Sequence, residues 1–304
     1  MSMWLDAFVP AFGLIALGMV LRRRMLRDDA VWAGMERLIF HLLMPALLVS
    51  SIASVDLHSL PLGGMAASIW ITLLLGTALS LLLARLMGQT HPAATSVMQG
   101  GIRFNNLVAF AVTGGVLGAP GVALGGVTTG LIVPCVQLLL TVVFAMGGGR
   151  GWPRPTSVLR QVARNPLIQG CLIGFAFSLM GGLPPGLGPL LRALGGASVA
   201  LGLLAVGAAL TPGAMRDRPL LQNLVAAQKL LLMPLLTLCL ARLLGLDALP
   251  AAVAVLFMAM PTATTGYVIA RAMGGDAPLI AAMTTGQHVL AVLSLPFWVW
   301  LLLP

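Results

Sequence analysis

Ten apolar runs follow one another along this 304-residue chain, centred on residues 6–22, 30–53, 62–87, 92–118, 121–146, 166–181, 188–211, 220–244, 249–273 and 277–303. Only short loops separate them, and no hydrophilic stretch is long enough for a second, water-soluble domain. Most runs reach the roughly 20 residues a helix needs to cross about 30 Å of hydrocarbon. Backbone polar groups find no water there, so each segment must satisfy its own hydrogen bonds as a helix. The expected class is an all-α polytopic membrane protein with ten transmembrane helices. The first and sixth runs are short and are expected to tilt or to re-enter.

Composition agrees: 59% of residues are hydrophobic and 8% are charged, where a soluble domain carries about 25% charge. A sequence pI of 11.4 invites a nucleic-acid reading, which the placement of the charges rejects. Arg22, Arg23, Arg24 and Arg27 follow the first run; Arg150, Arg154, Arg160 and Arg164 lie between the fifth and sixth. Arg216 and Arg218 follow the seventh, and Arg271 ends the ninth, whereas the loops after the second, fourth and sixth carry no Lys or Arg. Basic loops stay cytoplasmic. The alternation therefore predicts both termini outside and a cytoplasmic linker at 147–165, with Arg242 as the exception. Arg-rich sequence after the first run argues against a cleaved signal peptide. Cys135, Cys171 and Cys239 lie in apolar segments and read as buried, inert thiols.

The Gly- and Pro-rich stretch at 147–156 divides the chain near its middle. Five helices on each side is an odd number, so the halves enter the membrane from opposite faces: an inverted repeat. The domain reading is a first repeat at 1–146, the linker at 147–165 and a second repeat at 166–304. Pro92-Ala93-Ala94 reappears as Pro250-Ala251-Ala252, and Thr128-Thr129-Gly130 as Thr284-Thr285-Gly286.

Helices 4 and 9 are interrupted at matching places, by G-G-I-R-F-N-N at 100–106 and by M-P-T-A-T-T-G at 260–266. Arg103 lies eleven residues after Pro92, and Pro261 eleven after Pro250. At 1.5 Å per residue both are about 16 Å deep, so the breaks are expected to cross near the midplane. Gly100 and Gly101 weaken one helix, Pro261 stops the other, and Asn105, Asn106, Thr264 and Thr265 are cap residues for the outgoing halves. Half-helix N-termini carry partial positive charge and free N–H groups, which suit an anion. Arg103, Asn105, Asn106, Pro261, Thr262, Thr264 and Thr265 are therefore candidate substrate residues, with Gln287 lining the same region. An Arg at mid-membrane is costly. Arg103 reads as a carboxylate ligand, a counter-charge for the helix ends or a snorkelling side chain. Lys229, nine residues into helix 8, reads as a substrate residue or a structural snorkel. His41 and His288 are candidates for a proton pathway, although a hydrogen-bonded buried histidine is the simpler reading. No metal site, cofactor motif or nucleophile constellation is expected.

On H-L-L-M-P-A-L-L-V-S-S-I-A, G-G-I-R-F-N-N, Q-K-L-L-L-M-P-L-L and M-P-T-A-T-T-G-Y-V-I-A-R-A-M-G-G-D-A-P-L, the chain resembles the auxin efflux carrier (AEC) family. The likeness is to its bacterial malonate-transporter-like branch, related to the plant PIN proteins. The resemblance implies two inverted five-helix repeats, a scaffold and a transport domain drawn from both, and an elevator motion of the crossing of helices 4 and 9. It matches Asn105 to the crossover asparagine and Pro261 to the crossover proline. Two departures bear on substrate: Thr265 stands where many members have Asn, and A-F-A-V stands where many have Gly-x-Pro.

The expected function is uniport or secondary active transport of a small organic anion, a carboxylate, in a bacterial inner membrane. The partners are the anion and the bilayer, not nucleic acid, with a homodimer as the assembly considered. Coupling stays open between a proton, sodium and the membrane potential. Alternatives are a sodium-coupled symporter of the bile-acid type, disfavoured because neither break holds a carboxylate, an intramembrane enzyme, or a non-transporting receptor.

Overall fold

The computed structural model describes residues 2–147 and 155–303; Arg150, Arg154 and the rest of 148–154 in the expected linker lie outside the described residues. Among the described residues there is helix and connecting turn but no strand. The helices are α1 (Ser2–Arg24), α2 (Asp29–Leu38), α3 (Met44–Ile52), α4 (Leu62–Leu86), α5 (His91–Ile102), α6 (Asn106–Met146), α7 (Pro155–Ala163), α8 (Pro166–Leu179), α9 (Leu187–Ala209), α10 (Pro219–Ala227), α11 (Met233–Leu243), α12 (Ala248–Ala259), α13 (Gly266–Met273) and α14 (Ala277–Leu302). Among the described residues, seven helical stretches are long and apolar enough to cross a membrane. Helices α8 and α12 are apolar but shorter. The first run is not short after all: α1 has 23 residues.

Helix α6 would be about 61 Å long if straight, twice the hydrocarbon thickness. It is not straight. Gly118 sits at φ 63°, ψ −149°, a conformation open to glycine because it has no Cβ, and Ala119-Pro120 follows. A Cβ on Gly121 would stand 2.5 Å from the Thr113 carbonyl oxygen, and one on Gly114 3.0 Å from Val122. Residues eight apart in one helix are separated by about 12 Å, so the chain folds back on itself here.

The second and eighth runs each contain a π-helical turn, at Ile39–Leu43 and Gln228–Leu232. Met44 N–H reaches back five residues to the Ile39 carbonyl, and Met233 N–H to that of Gln228. Each turn precedes a Met-Pro pair. Proline has no N–H and its ring crowds the carbonyl four residues earlier. One wide turn accommodates that crowding without ending the helix.

The chain forms two compact units, each assembled from separated segments. Unit 1 holds 1–62, 106–133 and 163–209; unit 2 holds 63–105, 134–162 and 210–304. In unit 1, Trp32, Leu43, Leu48, Ile52, Phe110, Val127 and Cys171 form a buried core. Helices α1 and α9 approach through Gly18 and Gly207. In unit 2, Val97, Leu221, Val225, Ala270, Leu279, Ile280 and Met283 form the core.

One end of unit 2 is tied by Arg218, which has the one left-handed φ of a non-glycine residue among those described, 46°. Its guanidinium donates to Asp217 (3.0 Å), Asp276 (2.7 Å) and Gln89 (3.0 Å). Burial alone would lower its pKa; the bonds and charges of Asp276 and Asp217 reverse this and leave it raised. The Asp276 N–H in turn bonds the Pro92 carbonyl (3.0 Å), and its carboxylate caps α14 through Leu279 N–H (3.0 Å).

Three sequence expectations need correction. Cys239 is exposed on α11, not buried; Cys135 is half-buried and Cys171 buried. His41 is not a buried histidine: its ring is exposed in the first π turn and bonds the Arg37 carbonyl at 3.0 Å. Lys229 does not snorkel; it is fully buried.

Candidate functional site: the crossing of two broken helices

The two breaks meet within unit 2. Helix α5 ends at Ile102 and α12 at Ala259, and the next residues turn into extended backbone, Arg103 at φ −72°, ψ 160° and Met260 at φ −66°, ψ 144°. Met260 is held there because the following Pro261 excludes the helical conformation. The extended stretches bond to each other: Asn105 N–H donates to the Pro261 carbonyl at 2.7 Å. The rings of Phe104 and Phe257 pack beside this contact, 5.9 Å between centroids.

A broken helix leaves carbonyls at one end and N–H groups at the other without intrahelical partners, and where they are buried each needs a partner. Gln287, fully buried on α14, serves both breaks at once. Its Oε1 accepts Thr262 N–H (2.8 Å) and its Nε2 donates to the Gly100 carbonyl (2.9 Å). The Thr262 hydroxyl donates to the Gln99 carbonyl (3.1 Å), which also takes Arg103 N–H (3.0 Å). Gln287 is thus a strut of the crossing. Gln287→Leu strands a buried N–H and a buried C=O, each costing about 1–3 kcal/mol. The expected outcome is a clear fall in the melting temperature of the purified protein, which thermal unfolding in detergent would measure; an unchanged melting temperature would contradict the strut.

Arg103 turns toward the start of α13. Its Nη2 donates to the Thr265 hydroxyl (2.7 Å) and its Nη1 to Gln99 Oε1 (3.3 Å). A Cβ on Gly266, the first residue of α13, would lie 3.4 Å from Nη1. Thr265 therefore occupies the N-cap position but makes no side-chain cap bond; its hydroxyl accepts from Arg103 instead. Thr264 contributes its carbonyl to Tyr267 N–H (3.4 Å). Gln99 is wholly buried, and its Nε2 has no hydrogen-bond partner. Unit 2 contains three acidic residues, Asp217, Asp247 and Asp276, all at caps or in loops. The guanidinium thus stands at the positive end of a half-helix, and among the described residues it makes no ion pair with a carboxylate.

His288 lies beside the crossing. Its Nδ1 faces the Thr284 carbonyl (2.7 Å) and its Nε2 faces Asn105 Nδ2 (3.1 Å). A carbonyl can only accept, so Nδ1 carries the proton and Nε2 accepts from Asn105. Lys229 Nζ donates to the Met258 carbonyl at 2.8 Å, in the last turn of α12.

Of the residues expected from sequence, unit 2 brings together Arg103, Asn105, Pro261, Thr262, Thr264, Thr265, Lys229, Gln287 and His288. Asn106 falls in unit 1, where its Oδ1 accepts the Thr129 hydroxyl (2.8 Å), and so does His41. Gln99 was missed. The signal was available: a glutamine four residues before Arg103 in an apolar stretch shares its helix face. Among the described residues, no group of His, Cys, Asp or Glu could hold a metal ion.

Comparison with known proteins agrees with this architecture. A family model described as membrane transport protein matches residues 153–299. An uncharacterized transporter from Methanothermobacter thermautotrophicus is 25% identical over 291 residues, covering 94% of each chain. An all-helical fold, spans of membrane-crossing length, the family match over 153–299 and the transporter relative together support a membrane transporter of the AEC family.

Proposed function

We propose that the protein carries a small organic anion, a carboxylate, across a bacterial inner membrane by alternating access of the helix crossing. One observation carries this reading: Arg103 is set against the N-terminus of α13 without a carboxylate partner among the described residues, next to the free amide of Gln99. A cation at the positive end of a helix is unfavourable, and a buried amide donor without a partner costs about 1–3 kcal/mol. A bound carboxylate resolves both, accepting from the planar guanidinium and from Gln99. Thr262, Asn105 and Gln287 hold the crossing in shape around it. An elevator-type cycle would move unit 2, because that unit holds both breaks. Flux of candidate carboxylates into proteoliposomes, with and without proton and sodium gradients, tests the reading; no flux and no binding for any organic anion would refute it.

Ten spans in two inverted repeats fit the same picture. The first arms, α5 and α12, have 12 residues each, which supports equivalence of the two breaks. With ten crossings, the loops after spans 3, 5, 7 and 9 must share a side. Arg218 links Gln89, in the loop after span 3, to Asp276, in the loop after span 9, and a Cβ on Gly147 would collide with His91. The opposite set agrees: Gly64, after loop 2, faces Leu246 in loop 8, and Ser178 in span 6 bonds the Val55 carbonyl in loop 2 at 2.5 Å. Single cysteines in 147–165, in a cysteine-free background, are expected to react with an impermeant reagent only from the cytoplasmic side. Labelling from outside would overturn both the orientation and the inverted repeat.

A further inference from the structure

Lys229 is a fully buried cation of unit 2 that the anion site does not use. It sits in the π turn at Gln228–Leu232, and its Nζ donates to the Met258 carbonyl at 2.8 Å. Met258 belongs to the last turn of α12, where carbonyls lose their intrahelical partners and the helix carries partial negative charge. At broken transmembrane helices such C-terminal ends are where coupling cations bind. Here the protein's own donors reach them. The Phe257 carbonyl takes Met260 N–H (3.4 Å), the Gln99 carbonyl takes the Thr262 hydroxyl and Arg103 N–H, and the Gly100 carbonyl takes Gln287 Nε2. Met258 receives the one ionisable side chain among these.

Among the described residues no acidic side chain pairs with Lys229. Helices α4, α5, α10, α11, α12 and α14 pack against this π turn, and the titratable side chain of α4 is Arg85, in its last turn. Helix α10 has no titratable side chain and α12 none; α5 carries His91 at its start, with Arg103 as its C-cap; α11 carries Cys239 and Arg242; α14 carries His288. The nearest carboxylate along α12 is its N-cap, Asp247, eleven residues and about 16 Å from Met258.

We propose that the Lys229 ammonium is a tethered counter-ion for the C-terminal end of α12, occupying the place a coupling metal cation takes at broken helices, so that the carrier operates without sodium. Sodium independence rests on the transport reading; the counter-ion role does not. Lys229 is then a positioning residue, holding the helix end on which Pro261 and the crossing depend.

The test is thermal unfolding of purified protein, which needs no substrate. Replacing sodium chloride by choline chloride is expected to leave the wild-type melting temperature and anion flux unchanged; a rise in melting temperature together with severalfold faster flux in sodium would overturn the proposal. Lys229→Ala is expected to melt lower by about 5 °C or more. Propylammonium chloride at about 50 mM, acting as a ligand of the vacated site, is expected to restore at least half of that shift. Propanol at the same concentration is expected to restore none. Equal rescue by both would show that volume, not charge, matters and would sink the idea. Should Lys229→Ala not fold, Lys229→Met decides: an apolar side chain of similar length that melts at the wild-type temperature would overturn the counter-ion role. Absence of flux and binding for every organic anion, with the alkylammonium rescue intact, would count against the transport reading alone.

Discussion

Arg103→Gln protein is expected to insert and fold but to lose carboxylate transport by roughly tenfold or more, as one charge-assisted hydrogen bond is worth about 1.5–3 kcal/mol and 1.4 kcal/mol is a factor of ten. Folding should survive because the structural bonds of Arg103 are to neutral groups. Its backbone N–H bond to Gln99 stays, and glutamine can still reach toward Thr265. The loss should be specific because the substitution removes the charge facing the α13 N-terminus. Arg103→Lys separates two forms of recognition. If charge alone holds the anion, lysine recovers part of the flux; if a planar two-point contact with a carboxylate is needed, it recovers little. The measurement is binding and flux of candidate carboxylates for wild type and variants of matched melting temperature. Equal affinity and flux in wild type and Arg103→Gln would remove Arg103 from the substrate site.

The largest stability effect is expected in unit 1, at the contact of α1 with α9. Gly207→Val should cost about 3 kcal/mol or more, the upper end of what overpacking produces. A Cβ on Gly207 would lie 2.7 Å from the Ile15 carbonyl carbon, and one on Gly18 at 2.7 Å from that of Leu204. Both neighbours are backbone, so relief requires separating α1 from α9 along the length of their contact. Close helix approach through small residues is a main source of helix association in lipid, where hydrophobic burial between helices gains little. The control lies in the same helices. A Cβ on Gly13 in α1 or on Gly196 in α9 would meet nothing within 4 Å, so Gly13→Ala and Gly196→Ala should be neutral or stabilise by up to about 1 kcal/mol. Melting temperatures of these variants in detergent would check this; a Gly207→Val protein as stable as Gly196→Ala would show that the α1–α9 contact is not close-packed.

Much of this molecule was legible because lipid simplifies the code. The apolar runs mark helices, since no other open structure satisfies a backbone in hydrocarbon. The break at Gly100–Gly101 and that at Pro261 are written in residues that weaken helices locally, and counting residues from Pro92 and Pro250 placed Arg103 and Pro261 at one depth. Asn105 N–H bonds the Pro261 carbonyl, as that count requires.

Pairings between distant residues were not legible. Local sequence has no information on which buried amide meets which orphaned carbonyl, so Gln287 read as a lining residue and proved to be a strut, while Gln99 went unnoticed. Lys229 looked able to snorkel because nine residues of helix place it within reach of the interface; its direction was decided by a carbonyl 29 residues away in sequence, at the end of α12. Thr265 looked like a cap until Arg103 claimed its hydroxyl. The division into two units was equally hidden, because each is built from three separated segments. Backbone chemistry and the solvent determine where this chain is helical and where it breaks, because those effects act within a few residues. Which polar groups answer one another across the breaks depends on tertiary packing, and that is where the charge of the site is decided.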